Sequence, residues 1–125
     1  MTQPTPIKHV LVADDYPLTA ELLALGLEAE LAGAITIDYA IDGRQALRMG
    51  LARPPAVAIL DINMPGMSGW AVGDALRLGP GGAAMLLIAV TANPADVIAP
   101  ADRLFDHVLS KPADVAALAA LIRAA

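Results

Sequence analysis

Five polar side chains stand where apolar runs stop. Asp14 and Asp15 follow residues 7–13, Asp61 follows 56–60, Thr91 follows 85–90, and Lys111 lies just beyond 105–109. Each has a plain local reading: acids in a turn, a hydroxyl bonded to nearby backbone, a lysine snorkelling at a rim. Together they suggest chemistry. Three carboxylates converging in one crevice repel one another unless a cation sits among them. A set of oxygen donors in a chain without cysteine points to Mg²⁺ or another hard divalent ion. A metal, a hydroxyl and an ammonium around a carboxylate are the parts needed to move a phosphoryl group, where catalysis is positioning plus neutralisation of spreading charge. The carboxylate would be nucleophile and acceptor.

The elements that must position these groups alternate along the chain. Residues 7–13, 35–40, 56–60, 85–90 and 105–109 are read as five strands, the first an apolar run buried on both faces and the fourth buried as well. Between them fall helical patterns. Pro17 opens a helix over 18–31 that Gly33 stops, Asp42 caps one over 43–52, and Ser68 caps one through Leu78 that Gly79-Pro-Gly-Gly82 ends. A short helix is expected between Pro94 and Pro100, and a last one over 113–123. Such alternation predicts a doubly wound α/β fold, a parallel five-stranded sheet with five helices. These sheets place ligands outside the carboxyl ends of the strands, where strand order reverses, and that is where the five polar residues fall.

Composition narrows the possibilities. At 125 residues and 57% hydrophobic content the chain makes one domain with an aliphatic core, residues 7–125, after a disordered lead-in over 1–6. A formal charge of −5 argues against a nucleic-acid partner. No signal sequence opens the chain and no apolar run is long enough to span a bilayer, so a cytoplasmic protein without membrane contact is expected. The initiating Met and the complete last helix favour a free-standing protein.

Asp14-Asp15, Asp61 followed by Met64-Pro-Gly-Met-Ser-Gly69, Thr91-Ala92 and Lys111-Pro112 resemble, at their spacing and over nearly the whole chain, the receiver domains of two-component response regulators. The resemblance implies the strand order 2-1-3-4-5, an order for which a receiver protein is a standard example. It implies that Asp61 accepts a phosphoryl group from a phosphohistidine of a histidine kinase or histidine phosphotransfer protein. It also implies that Asp15, Asp61 and the backbone carbonyl of Asn63 hold Mg²⁺ directly, with Asp14 acting through water. Thr91 and Lys111 would contact phosphoryl oxygens, and Asn63 and Asn93 would tune hydrolysis. Such a domain acts on a downstream protein target and is no enzyme beyond its own phosphorylation and dephosphorylation.

The pattern also departs from the family. Val108 stands three residues before Lys111, where most receivers have Tyr, Phe or His, and Pro100 interrupts the fourth helix. A binding module that signals without phosphorylation is therefore a second reading. A small Asp-nucleophile phosphatase of the haloacid dehalogenase type is a third, disfavoured because its nucleophile belongs to a DxD pattern on the first strand. The first helix carries two leucine stripes, Leu18, Leu22, Leu25 and Ala29 against Leu23, Leu27 and Leu31, of which one must face the core. The last helix has a core stripe of Val115, Leu118, Leu121 and Ile122, leaving Ala116, Ala117, Ala119, Ala120 and Ala124 for its surface. A homodimer or partner contact through Leu18, Leu22 and Leu25, or through the last helix, follows as an expectation. Trp70 is read as a partly buried packing residue, and His9 and His107 as surface or strand-edge residues. Pro112 either opens a helix or follows a cis bond.

Overall fold

The computed structural model describes residues 7–93 and 104–125. The lead-in over 1–6, and the short helix expected between Pro94 and Pro100, lie outside the described residues. Five parallel strands, β1 (Lys8–Ala13), β2 (Ile35–Ala40), β3 (Val57–Asp61), β4 (Leu86–Thr91) and β5 (His107–Ser110), pair in the order 2-1-3-4-5. Four α-helices are among the described residues: α1 (Pro17–Glu30), α2 (Gly43–Ala52), α3 (Gly69–Leu78) and α4 (Val115–Ala124).

The central strands alternate between two cores. Ala13, Ala58, Leu60, Leu87 and Ala89 face Ala46 of α2, Val72 and Leu76 of α3, and Phe105. Val10, Val12, Val57, Ile59, Ile88 and Val90 face α1 and α4. The period of two thus becomes two apolar surfaces, each covered by a helix pair.

The starts expected at Pro17, Asp42 and Ser68 are visible in the structure. Pro17 occupies the first turn of α1, where its missing N–H costs nothing. The Asp42 carboxylate accepts from the Gln45 amide at 2.7 Å, and the Ser68 hydroxyl from the Ala71 amide at 3.2 Å. Asp114 caps α4 by accepting from the Ala116 amide at 2.9 Å. Gly33 ends the first helical unit at φ 79°, a conformation that favours glycine.

Which face of α1 packs is settled by its small residues. Ala20 and Ala24 are buried beside Leu27 and Leu31, while Leu18, Leu22 and Leu25 stay exposed. A Cβ on Gly26 would meet Val115 at 3.0 Å, so α1 and α4 approach closely there. On α4 one assignment is corrected: Ala119 is fully buried with Leu118 and Ile122, since 115, 118, 119 and 122 share one helical face and that face packs on the sheet.

His9 also departs from expectation. β1 is an interior strand, and the ring is held on β2 by Thr36 Oγ1 at 2.9 Å and the Asp38 carboxylate at 3.3 Å, with the side chain 12% exposed. His107 lies on β5, at the sheet's edge, half-buried. At the amino end of the sheet, Arg77 of α3 donates to the carbonyls of Gly82, Met85 and Leu104 and pairs with Asp106, while Lys8 donates to the Ile122 carbonyl at the end of α4.

Leu27→Ala should cost about 2–5 kcal/mol in urea unfolding, because its cavity cannot close between α1 and the sheet. Leu25→Ala should stay within about 0.5 kcal/mol. Burial lowers the pKa of His9 below its ordinary 6.5; Arg53 helps, Asp38 and Thr36 oppose. The unfolded chain then binds the proton more readily. Relative to His9→Gln, the native protein should lose stability as pH falls through 6.5 and below, and should lose none above it.

Candidate functional site

Strand polarity alone brings the site together. β1, β3, β4 and β5 are neighbours in the sheet, and each delivers a polar residue at its carboxyl end. Asp14 follows Ala13, which pairs with Leu60 of β3. Asp61 closes β3 and pairs with Val90, one residue before Thr91. Thr91 pairs with Ser110, and its carbonyl accepts from the Lys111 amide at 2.8 Å. Between β1 and β3 the chain order reverses, which is where doubly wound sheets open a crevice.

Asp14 and Asp61 are almost fully buried, and Asp15 partly so. One carboxylate oxygen from each of the three lies within 4.8 Å of the others. The Lys111 ammonium reaches across this group, 2.9 Å from an Asp61 oxygen and 3.1 Å from Asp14. The second Asp61 oxygen accepts from the Asn63 amide at 3.1 Å, and Asp14 accepts from the Tyr16 amide at 2.9 Å. Both buried acids are thus hydrogen-bonded, as buried charge requires.

Burial pushes the Asp61 carboxyl above the usual range, against hydrogen bonds from Lys111 and Asn63, and the nearby Asp14 charge adds to the rise. For Lys111, burial would lower the pKa, but hydrogen bonds and attraction to Asp61 and Asp14 outweigh it and hold the ammonium charged. Three acids facing one ammonium leave negative charge in excess. A set of hard oxygen donors with that excess fits a divalent cation such as Mg²⁺.

Thr91 is fully buried, with its hydroxyl accepting from the Asn93 amide at 3.3 Å. Val108 is half-buried against the α2/α3 core. Trp70 is partly buried and stacks edge-on to Phe105 at 5.6 Å, a packing role. The peptide between Lys111 and Pro112 is cis.

Two glycines at the site carry more than the sequence suggested. A Cβ on Gly69 would come within 2.2 Å of the Asp61 carbonyl oxygen, and one on Gly43 within 1.9 Å of the Met67 carbonyl oxygen. The loop that follows Asp61 is gripped between the first residues of α2 and α3. The available signal was the repeated pattern of a capping residue followed by glycine, Asp42-Gly43 and Ser68-Gly69.

Fold and site together define a doubly wound α/β domain with an acid cluster and a lysine at its switch point. The family described as response regulator receiver domain matches residues 10–123, and the chain belongs to it. The probable transcriptional regulatory protein NarL of Mycobacterium tuberculosis is 39% identical over 99 residues, covering 78% of this chain and 45% of the relative. The nitrate/nitrite response regulator protein NarP of Escherichia coli is 33% identical over 124 residues, covering 99% of this chain and 57% of the relative. The chain thus spans about half the length of these curated relatives. A CheY-like receiver domain from Methylobacillus flagellatus superposes with a TM-score of 0.84 at 30% identity, covering 94% of this chain and 98% of that one. The receiver domain of the putative response regulator NarL from Mycobacterium tuberculosis gives 0.79 at 28% identity, with 95% of each chain covered. Receiver domains are signalling modules that interact with histidine kinases and bind Mg²⁺ at an acidic pocket. No helix among the described residues is long and apolar enough to cross a membrane.

Gly69→Ala should destabilise the fold by about 1–3 kcal/mol in urea unfolding, since the added methyl must displace the Asp61 backbone or the start of α3. Ser68→Gly, one residue earlier, should cost only about a few tenths of a kcal/mol, because glycine is itself well tolerated at an N-cap and adds no clash.

Proposed function

We propose that this protein is the phosphoryl-accepting receiver of a two-component phosphorelay, with Asp61 as acceptor and a phosphohistidine of a histidine kinase or phosphotransfer protein as donor. The observation that carries this reading is the Lys111 ammonium held on Asp61 and Asp14 beside Asp15. An Asp61 oxygen forms the bond to phosphorus as the donor imidazole nitrogen departs with the electron pair of the P–N bond. Lys111, already 2.9 Å from that carboxylate, is positioned to follow charge onto the phosphoryl oxygens, and Thr91 lies at the adjacent strand end to receive another. Asp14, Asp15, Asp61 and the Asn63 carbonyl would hold Mg²⁺. Bound there, the ion supplies neutralisation of the charge spread over the transferring group.

The domain then acts by protein contact. Leu18, Leu22 and Leu25, exposed on α1, supply an apolar surface for a kinase, a target or a second copy of the chain.

Incubation with Mg²⁺ and acetyl phosphate, followed by intact mass measurement, should give one phosphoryl adduct. That adduct should vanish in Asp61→Asn and on removal of Mg²⁺. Absence of any adduct, even with a histidine kinase as donor, would overturn the assignment, and sustained turnover of free phosphoesters would point to a phosphatase instead.

A further inference from the structure

Beside the acid cluster, on the α1/α4 side of the sheet, lies a cavity of about 510 Å³. Leu23 of α1 and Val115 of α4 form part of its walls, and it narrows toward Val12, Ile59 and Val90 of three adjacent strands, which keep almost no accessible surface. Two residues beyond Val12 and Ile59 come Asp14 and Asp61, which line the cavity's polar end together with Lys111 and Tyr16. The volume falls within the roughly 300–1,000 Å³ typical of small-molecule sites, and the division into a broad apolar chamber and a few convergent polar groups is the usual form of such sites.

Charge selects the ligand. Asp14, Asp15 and Asp61 converge within 4.8 Å, and Lys111 is the one cation in the cavity lining among the described residues. An anion meets repulsion from the excess carboxylate charge, whereas a cation is attracted.

We propose that this cavity binds a small amphipathic monocation, an aryl or alkyl amine. Its apolar body lies between Leu23 and Val115, and its ammonium joins Asp14 and Asp61. Occupied this way, the carboxylates are closed to a divalent ion, so the amine and Mg²⁺ exclude one another. The binding shares two acids with the phosphoryl-acceptor reading but needs no phosphoryl chemistry.

Titration of the full chain with 2-phenylethylammonium chloride, 2-phenylethanol and 3-phenylpropionate, at constant ionic strength and followed by methyl NMR, tests this directly. The Leu23 and Val115 methyls should shift saturably with the amine. The alcohol should bind roughly tenfold more weakly, and the carboxylate should not bind. Millimolar MgCl₂ should weaken the amine several-fold and leave the alcohol unchanged. Ala113→Leu, which narrows the cavity from its α4 end, should weaken both amine and alcohol about tenfold or more, while Ala113→Ser should not. Absence of saturable shifts, shifts confined to other methyls, equal affinity for amine and alcohol, measurable binding of the carboxylate, or indifference to MgCl₂ would each overturn the proposal. The acetyl phosphate adduct, measured without amine, reports on Asp61 alone, so the two readings fail separately.

Discussion

The structure turns on one ammonium shared by two buried carboxylates. Asp14 and Asp61 lie behind the ends of adjacent strands, and their charge is tolerable only because Lys111 reaches both and each accepts a backbone amide. Removal of one partner from such a group leaves charge buried and uncompensated, which costs far more than an exposed pair. The sheet order follows the same demand. Only with β1 next to β3, and β4 and β5 beyond it, do residues separated by 97 positions (111 − 14) meet around a single nitrogen.

Around that centre the loop after Asp61 is held by absence of side chains. Gly43 and Gly69 bring the starts of two helices onto its backbone, and Gly66 at φ 78° lets the chain turn between them. Capping residues immediately before both glycines fix where each helix begins, so the loop after Asp61 inherits its position from two helix starts.

Most of this was legible in the chain itself. The ends of the interior strands announced themselves because a strand buried on both faces stops at an acid or lysine, whereas edge strand β2 runs through Asp38; helix starts did so because Pro17, Asp42 and Ser68 have local bonding roles that need no tertiary context. The two leucine stripes of α1 were different. Both satisfy helical spacing, and the choice rests on Ala20, Ala24 and Gly26, whose small size permits approach to the sheet and to Val115. Ala119 was misplaced for a related reason, since alanine is read as surface or core only once its neighbours' depth is known. His9 carried no sequence signal of its partners, because Thr36 and Asp38 reach it only through the β1–β2 register. The contact between Gly69 and the Asp61 carbonyl is likewise a matter of two backbones meeting, which side-chain patterns do not encode.

Polar ties are distributed unevenly between the two ends of the sheet. Arg77 braces the entries to β4 and β5, Lys8 joins β1 to the end of α4, and His9 joins β1 to β2, all toward the amino rim. Toward the carboxyl rim, the ion pairs among the described residues are the two made by Lys111. The molecule is therefore built like a fan riveted at one end, with a single charged clasp at the other. Anything that draws the Lys111 ammonium off its carboxylates removes the ion pairs of the carboxyl rim and leaves those of the amino rim in place.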